Sequence, residues 1–244
     1  MKRMLLTISY DGTAYHGWQV QKNAVTVQSV LCEALEKMLK TETKVVGTSR
    51  TDAGVHASEF TCHLDCEENI PNEAFLRGLN SLLPPDIAVI DCKEVKNDFH
   101  ARYNAKGKTY CYHIFNSNKK DPFKSRYAWQ IERKLDIDKM NKFAEQIIGR
   151  HDFFAFSSSG RTVEDTVREI RECYVKKNGE DVTLVVTADG FLYNMVRIIV
   201  GTAVAVSDGK ILVEEIVDIL QSKQRDRAGV TAPPQGLFLE KVHY

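Results

Sequence analysis

The chain has no apolar run near the roughly 20 residues that a membrane-spanning helix needs. Its opening residues, Met1 to Ile8, start basic, but their apolar stretch is too short for a signal peptide and suits a first strand. A cytoplasmic location is therefore expected, with no membrane partner. There is no excess of either charge: 33 Lys and Arg balance 33 Asp and Glu, which argues against indiscriminate nucleic-acid binding. The six cysteines, Cys32, Cys62, Cys66, Cys92, Cys111 and Cys173, contain no Cys-x-x-Cys pair. In Cys62-His63-Leu64-Asp65-Cys66 the ligand types would alternate between strand faces, whereas structural zinc needs four convergent ligands. Buried reduced thiols are expected and a metal site is not. A nucleotide-binding glycine loop is also missing.

What is present suits a globular protein of one large or two small domains. Lys106, Lys108, Lys119, Lys120, Lys124 and Arg126 gather in the middle, and Lys223, Arg225 and Arg227 near the end. Asp65-Cys66-Glu67-Glu68 and Val213-Glu214-Glu215 offset them. Such clusters are usually solvated faces, yet local basic stripes on a neutral protein can bind phosphates.

Residues 3 to 9 read as a strand ending at Tyr10-Asp11-Gly12. A helix follows with Thr26 as N-cap and Val27, Val30, Leu31, Ala34, Leu35, Met38 and Leu39 on one face. Strands over Lys44 to Thr48 and Ser58 to Asp65, a helix from Asn72 to Leu83 and a strand from Ile87 to Val95 complete a βαββαβ order. The second half repeats that order. A strand runs from Lys106 to Asn116 and a helix from Asp136, with Gly149 as its C′ residue. Strands at Thr166 to Val175 and Asp181 to Thr187 come next. Helices at Leu192 to Val206 and Val213 to Gln221 precede a last strand at Leu237 to Val242. The expected class is α+β: two ferredoxin-like halves, residues 1–98 and 99–244, in a continuous mostly antiparallel sheet with helices on one face and a central cleft. The boundary falls near residues 97 to 105.

The most informative segment is Gly47-Thr48-Ser49-Arg50-Thr51-Asp52-Ala53-Gly54-Val55-His56-Ala57, a turn between two strands. Rigid scaffolds display reactive side chains on such turns. Gly54 allows a positive φ, Arg50 would favour an ionised carboxylate nearby, and an ionised aspartate can act as nucleophile or general base. The plainer explanation is an Asx-turn with a structural Arg–Asp pair. Phe99-His100-Ala101-Arg102-Tyr103 and Lys106-Gly107-Lys108-Thr109-Tyr110-Cys111-Tyr112 mix cations with rings. That suits phosphate contact and base stacking, but also an ordinary half-buried strand. Arg197 sits alone in the apolar Leu192 to Gly201 run, where a charge must be paired or reach solvent; Asp189 and Glu214 are local candidates.

Arg50-Thr51-Asp52-Ala53-Gly54-Val55-His56-Ala57 resembles the signature of the tRNA pseudouridine synthase A family. The segments Tyr10-Asp11-Gly12-Thr13, Gly17-Trp18-Gln19, Tyr110 with its neighbours, His151 to Phe156 and Gly190 to Gly201 extend the resemblance along nearly the whole chain. It departs at Ser49, where the family usually has glycine. The resemblance implies a pseudouridine synthase fold and a cofactor-free isomerase acting on uridines of the tRNA anticodon stem and loop, at tRNA positions 38 to 40. By the same resemblance Asp52 is the catalytic nucleophile, Arg197 pairs with it, Tyr110 packs on the uracil, and the protein is a homodimer. Arg50 is expected to bind the RNA as the target nucleotide leaves its stack, an extrusion costing a few kcal/mol. His56 is expected to shape the loop rather than react.

Overall fold

The computed structural model describes residues 1–67, 70–160 and 163–244, so Glu68 of the acidic stretch lies outside the described residues. These hold ten strands and five α-helices, with most strand pairs antiparallel. The chain divides into two compact units: Met1–Lys106 with Phe238–Tyr244, and Gly107–Leu237. None of the described helices is long and apolar enough to cross a membrane.

The first unit runs β1 (Lys2–Tyr10), α1 (Val27–Leu39), β2 (Val46–Gly47), β3 (His56–Cys66), α2 (Asn72–Leu82) and β4 (Ile87–Val95). Its strands lie in the order β4-β1-β3-β2, every neighbour antiparallel, as in a ferredoxin-like half. The period-2 pattern becomes register: Met4, Leu6 and Ile8 stand opposite Leu64, Cys62 and Phe60, all of them buried. Thr26 caps α1 as expected, accepting from the Ser29 N–H while the Ser29 hydroxyl accepts from the Thr26 N–H. Val27, Leu31, Ala34, Leu35 and Leu39 are buried, whereas Val30 and Met38 are half-buried at the margins of the same face. Each fully buried leucine contributes about 1.5–3 kcal/mol of apolar transfer energy.

The second unit contains β5 (Gly107–Phe115), β6 (Trp129–Gln130), α3 (Ile137–Gln146), β7 (Gly149–Asp152), β8 (Val167–Asn178), β9 (Asp181–Ala188), α4 (Met195–Ser207) and α5 (Ile216–Ser222). Its main sheet has the order β5-β9-β8-β7, antiparallel throughout, and β6 pairs with β5 in parallel. The chain then returns to the first unit as β10 (Leu237–His243), where Phe238 and Leu239 pair in parallel with His56 and Ala57.

Some boundaries moved. The expected C′ glycine of α3 is not one: the helix ends on Ile147 with right-handed backbone, and Gly149, at φ +106°, opens β7. Strands β6 and β7, at 2 and 4 residues, are too short to leave a periodic signal. α4 starts three residues later than expected because Asn194 takes a left-handed φ of 60° at its N-cap, a conformation asparagine tolerates. The helix expected from Val213 begins instead as a 3-10 turn that passes into α5 at Ile216.

A candidate active-site loop and its neighbours

The loop from Thr48 to Val55 is held chiefly by backbone. Thr51 is its buried anchor: its carbonyl accepts from the Trp18 N–H at 3.2 Å, and its hydroxyl lies 2.9 Å from Tyr10 Oη. Asp52 to Val55 form a tight turn closed by Val55 N–H to Asp52 C=O at 3.2 Å, with Gly54 at φ +76° in the place where a type II turn requires glycine. Gly54 N–H donates to the Tyr15 carbonyl at 3.2 Å. Two further glycines press against the loop. A Cβ on Gly17 would sit 2.3 Å from the Thr51 carbonyl oxygen, and one on Gly12 would sit 2.0 Å from that of Val55. The opening motifs Tyr10-Asp11-Gly12-Thr13 and Gly17-Trp18-Gln19 are therefore the seat of the loop. The sequence signalled them only as turns and aromatic packing.

Asp52 is half-buried on this turn. Arg50 is exposed, and its side chain forms no hydrogen bond or ion pair with the described residues. The structural Arg50–Asp52 pair that the spacing suggested is absent. Two bonds draw Thr51 inward, and Arg50 is left facing solvent. His56 is buried at the start of β3, where its Nδ1 accepts from the Gly12 N–H at 3.0 Å and its ring stacks on Phe238 at 4.5 Å. That bond fits a loop-shaping role. Asp11 Oδ1 lies 3.2 Å from the same nitrogen but accepts from the Thr13 N–H and hydroxyl. Ser49 has an ordinary negative φ, so its position does not demand glycine, and its buried Oγ has no hydrogen-bond partner.

In the second unit Tyr110 is buried on β5 with its ring edge-on to Phe191 at 5.0 Å. Arg197 is half-buried on α4. Its Nε donates to the Ala232 carbonyl at 2.7 Å, and a terminal nitrogen donates to Asn194 Oδ1 at 2.9 Å. The segment carrying Ala232 comes this close because of paired glycines: a Cβ on Gly201 would meet the Val230 carbonyl at 1.8 Å, and one on Gly229 the Thr202 nitrogen at 2.4 Å. Neither local acid expected to neutralise Arg197 is bonded to it. Asp189 accepts from the Glu169 N–H, and Glu214 is exposed.

The basic clusters divide. Lys223 pairs with Asp152 at 2.8 Å, and Arg225 donates to the Gly229 carbonyl and to Thr231 Oγ1. Burial opposes ionisation of Asp152, yet the bonds from Lys223 and Thr166 hold its carboxyl below the usual range. Arg225 is half-buried, and burial lowers its pKa. Lys119 and Lys120, by contrast, are exposed with side chains that meet no partner among the described residues. Four cysteines are buried and two half-buried, all of them free thiols. Burial pushes Cys173 up to about 12 and Cys92 to about 11, so both stay protonated at neutral pH. The described residues contain no group of three or more His, Cys, Asp or Glu able to hold a metal ion.

A sequence model of the family described as tRNA pseudouridine synthase matches residues 6–104 and 143–244. The chain belongs to the tRNA pseudouridine synthase family. The two matched stretches cover the Asp52 turn, its glycine seat and the Arg197 helix; Tyr110 lies between them. Within this family of uridine-to-pseudouridine isomerases, the chain is 48% identical over its whole length to the "tRNA pseudouridine synthase A" of Thermoanaerobacter sp. (strain X514). It is 44% identical to the "tRNA pseudouridine synthase A 2" of Clostridium perfringens (strain 13 / Type A). Each alignment covers 100% of both proteins. Among solved structures, a chain of the "Crystal Structure of a Cbf5-Nop10-Gar1 Complex" aligns with 97% of this chain and 48% of its own, at 12% identity. Its TM-score of 0.39 is below the level at which a shared fold follows.

Proposed function

We propose that the protein isomerises uridine to pseudouridine in the anticodon stem and loop of tRNA, at positions 38 to 40, with Asp52 as nucleophile and no cofactor. The reaction breaks the bond from C1′ to N1, turns the base and rejoins it through C5; the C5 proton leaves and N1 gains one. Asp52 serves either by adding to C6 of the uracil or by promoting departure of the base at the ribose, and the products are the same. Tyr110 packs on the uracil, and its hydroxyl is the group to handle the C5 proton. Arg197 keeps the carboxylate ionised, an assignment that rests on the family resemblance. Residues 1–98 thus supply Asp52 and Arg50, and residues 99–244 supply Tyr110 and Arg197.

One observation carries this reading. A turn clamped by backbone bonds presents a half-buried carboxylate two residues from an exposed arginine that the fold leaves unused. A positioned carboxylate and a free cation are what a base-extruding enzyme needs at the target nucleotide. We further propose that two copies hold one tRNA and that the protein works in the cytoplasm. Combining the exposed cations of two copies would let a chain with net charge +0 hold a polyanion.

Tritium release from tRNA labelled at uracil C5 tests the proposal. Release by the wild type, absent in Asp52→Ala that still binds tRNA, is the expected result. Binding without release by the wild type would leave a tRNA-binding protein instead. A monomer in sedimentation at full activity would remove the dimer.

A further inference from the structure

Phe123 is 86% exposed, the most exposed large apolar side chain among the described residues. It stands on a connection between β5 and β6 that is held in one shape by its own hydrogen bonds. Asp121 Oδ1 accepts from the Phe123 and Lys124 N–H groups at 2.9 and 3.3 Å, and Ser125 N–H donates to the Asp121 carbonyl at 3.0 Å. Gln130 Nε2 donates to the carbonyls of Ser117 and Lys119. Lys124 anchors the connection from below, paired with Asp181 at 2.5 Å and lying 4.6 Å over the Phe115 ring. The ring of Phe123 is thus presented by ordered backbone rather than left out by a frayed one.

Its neighbours are mostly basic. Residues 118 to 127 carry Lys119, Lys120, Lys124 and Arg126 against the single carboxylate of Asp121, which already accepts the two N–H bonds above. The side chains of Lys119 and Lys120 are exposed and meet no partner among the described residues, and the Arg126 guanidinium lies 5.8 Å over the ring of Tyr127, itself 40% exposed. A solvated ring beside two exposed lysines is poorly suited to the apolar core of a protein interface, which excludes charge. It fits single-stranded nucleic acid, where bases stack on rings and phosphates meet lysines.

We infer that this connection is an RNA-holding platform: Phe123 stacks on an unpaired nucleotide of the substrate RNA, and Lys119 and Lys120 meet its phosphates. An unpaired nucleotide is specified because bases inside a stem already stack on one another. The inference rests on the tRNA reading above and deepens it.

The experiment measures tRNA affinity, tritium release and sedimentation for wild type, Phe123→Ala and the Lys119→Ala/Lys120→Ala pair. Phe123→Ala is expected to bind tRNA about 5- to 100-fold more weakly, raising KM with kcat kept at saturating tRNA. The lysine pair is expected to flatten the slope of log affinity against log salt by about 1.4 to 1.8. Unchanged affinity and salt slope, with the wild type active on tRNA, would overturn the platform while leaving the proposed function intact. A change in oligomeric state without loss of intrinsic RNA affinity would overturn it in favour of a protein-docking surface. A wild type that neither binds nor modifies tRNA would overturn both.

Discussion

The Arg50 loop and the segment around Arg225 are both arginine-bearing connections outside the strands, and they use their cations in opposite ways. In the first, glycines and backbone bonds do the holding: Gly12, Gly17 and Gly54 let main chain meet main chain, and Arg50 is left exposed. In the second the guanidinium is itself the staple, donating to the Gly229 carbonyl and to Thr231, while Lys223 is paired with Asp152. A cation is available for a ligand only where something else fixes the chain that carries it. The connection bearing Phe123 follows the first pattern, because Asp121 and Gln130 fix its backbone.

Four substitutions test this contrast. Gly17→Ala should have the largest effect. It adds a Cβ 2.3 Å from a backbone oxygen at a φ of +81°, so the Asp52 turn must shift. We expect at least about 2 kcal/mol of lost stability by thermal melting and roughly 100-fold slower tritium release; a normal melt with normal release would show that the glycine seat does not position the turn. Arg225→Ala comes next. Loss of its bonds, with carbonyls left unsatisfied, should cost about 1–3 kcal/mol and lower the melting temperature while tritium release per folded molecule is kept. A fall in tRNA affinity with no change in melting would reverse the assignment and make Arg225 a ligand contact. Arg50→Ala should do the converse, leaving stability within about 0.5 kcal/mol and flattening the salt dependence of tRNA binding by about one unit of slope. Ser49→Gly should change least. It removes a buried hydroxyl that has no partner but adds backbone freedom to the unfolded chain, and these effects oppose each other at about 1 kcal/mol or less each. Melting and tritium release should both stay near wild type, and a large gain or loss in either would show that the serine tunes the loop.

Much of this was legible before any coordinates. Met4, Leu6 and Ile8 on one strand and Phe60, Cys62 and Leu64 on the other share one buried sheet face, and that period-2 pattern is written directly in residue type. Thr26 announced its helix because the hydroxyl that caps it is local. Asp52, Gly54 and Arg50 stood out because turn chemistry is also local. The partners of these residues were not legible. Nothing in the spacing of Arg50 and Asp52 shows that the arginine turns away, since that depends on Thr51 being bonded to Tyr10 and Trp18, more than thirty positions earlier. Likewise Lys223 and Arg225 looked as available as Lys119 and Lys120, because sequence records charge but not the acceptor the fold brings to it.

Residue pattern alone was enough for the βαββαβ order of the first unit, its buried face, the tight turn at Gly54 and membership of the family, because periodicity, capping and motif act over a few residues. Which glycines admit a second backbone, which cations are consumed and which aromatic ring is left in solvent were settled by the folded arrangement. Those outcomes depend on close approach between segments far apart in the chain, where a Cβ placed about 2 Å from a carbonyl oxygen is forbidden and a buried carbonyl must find a donor.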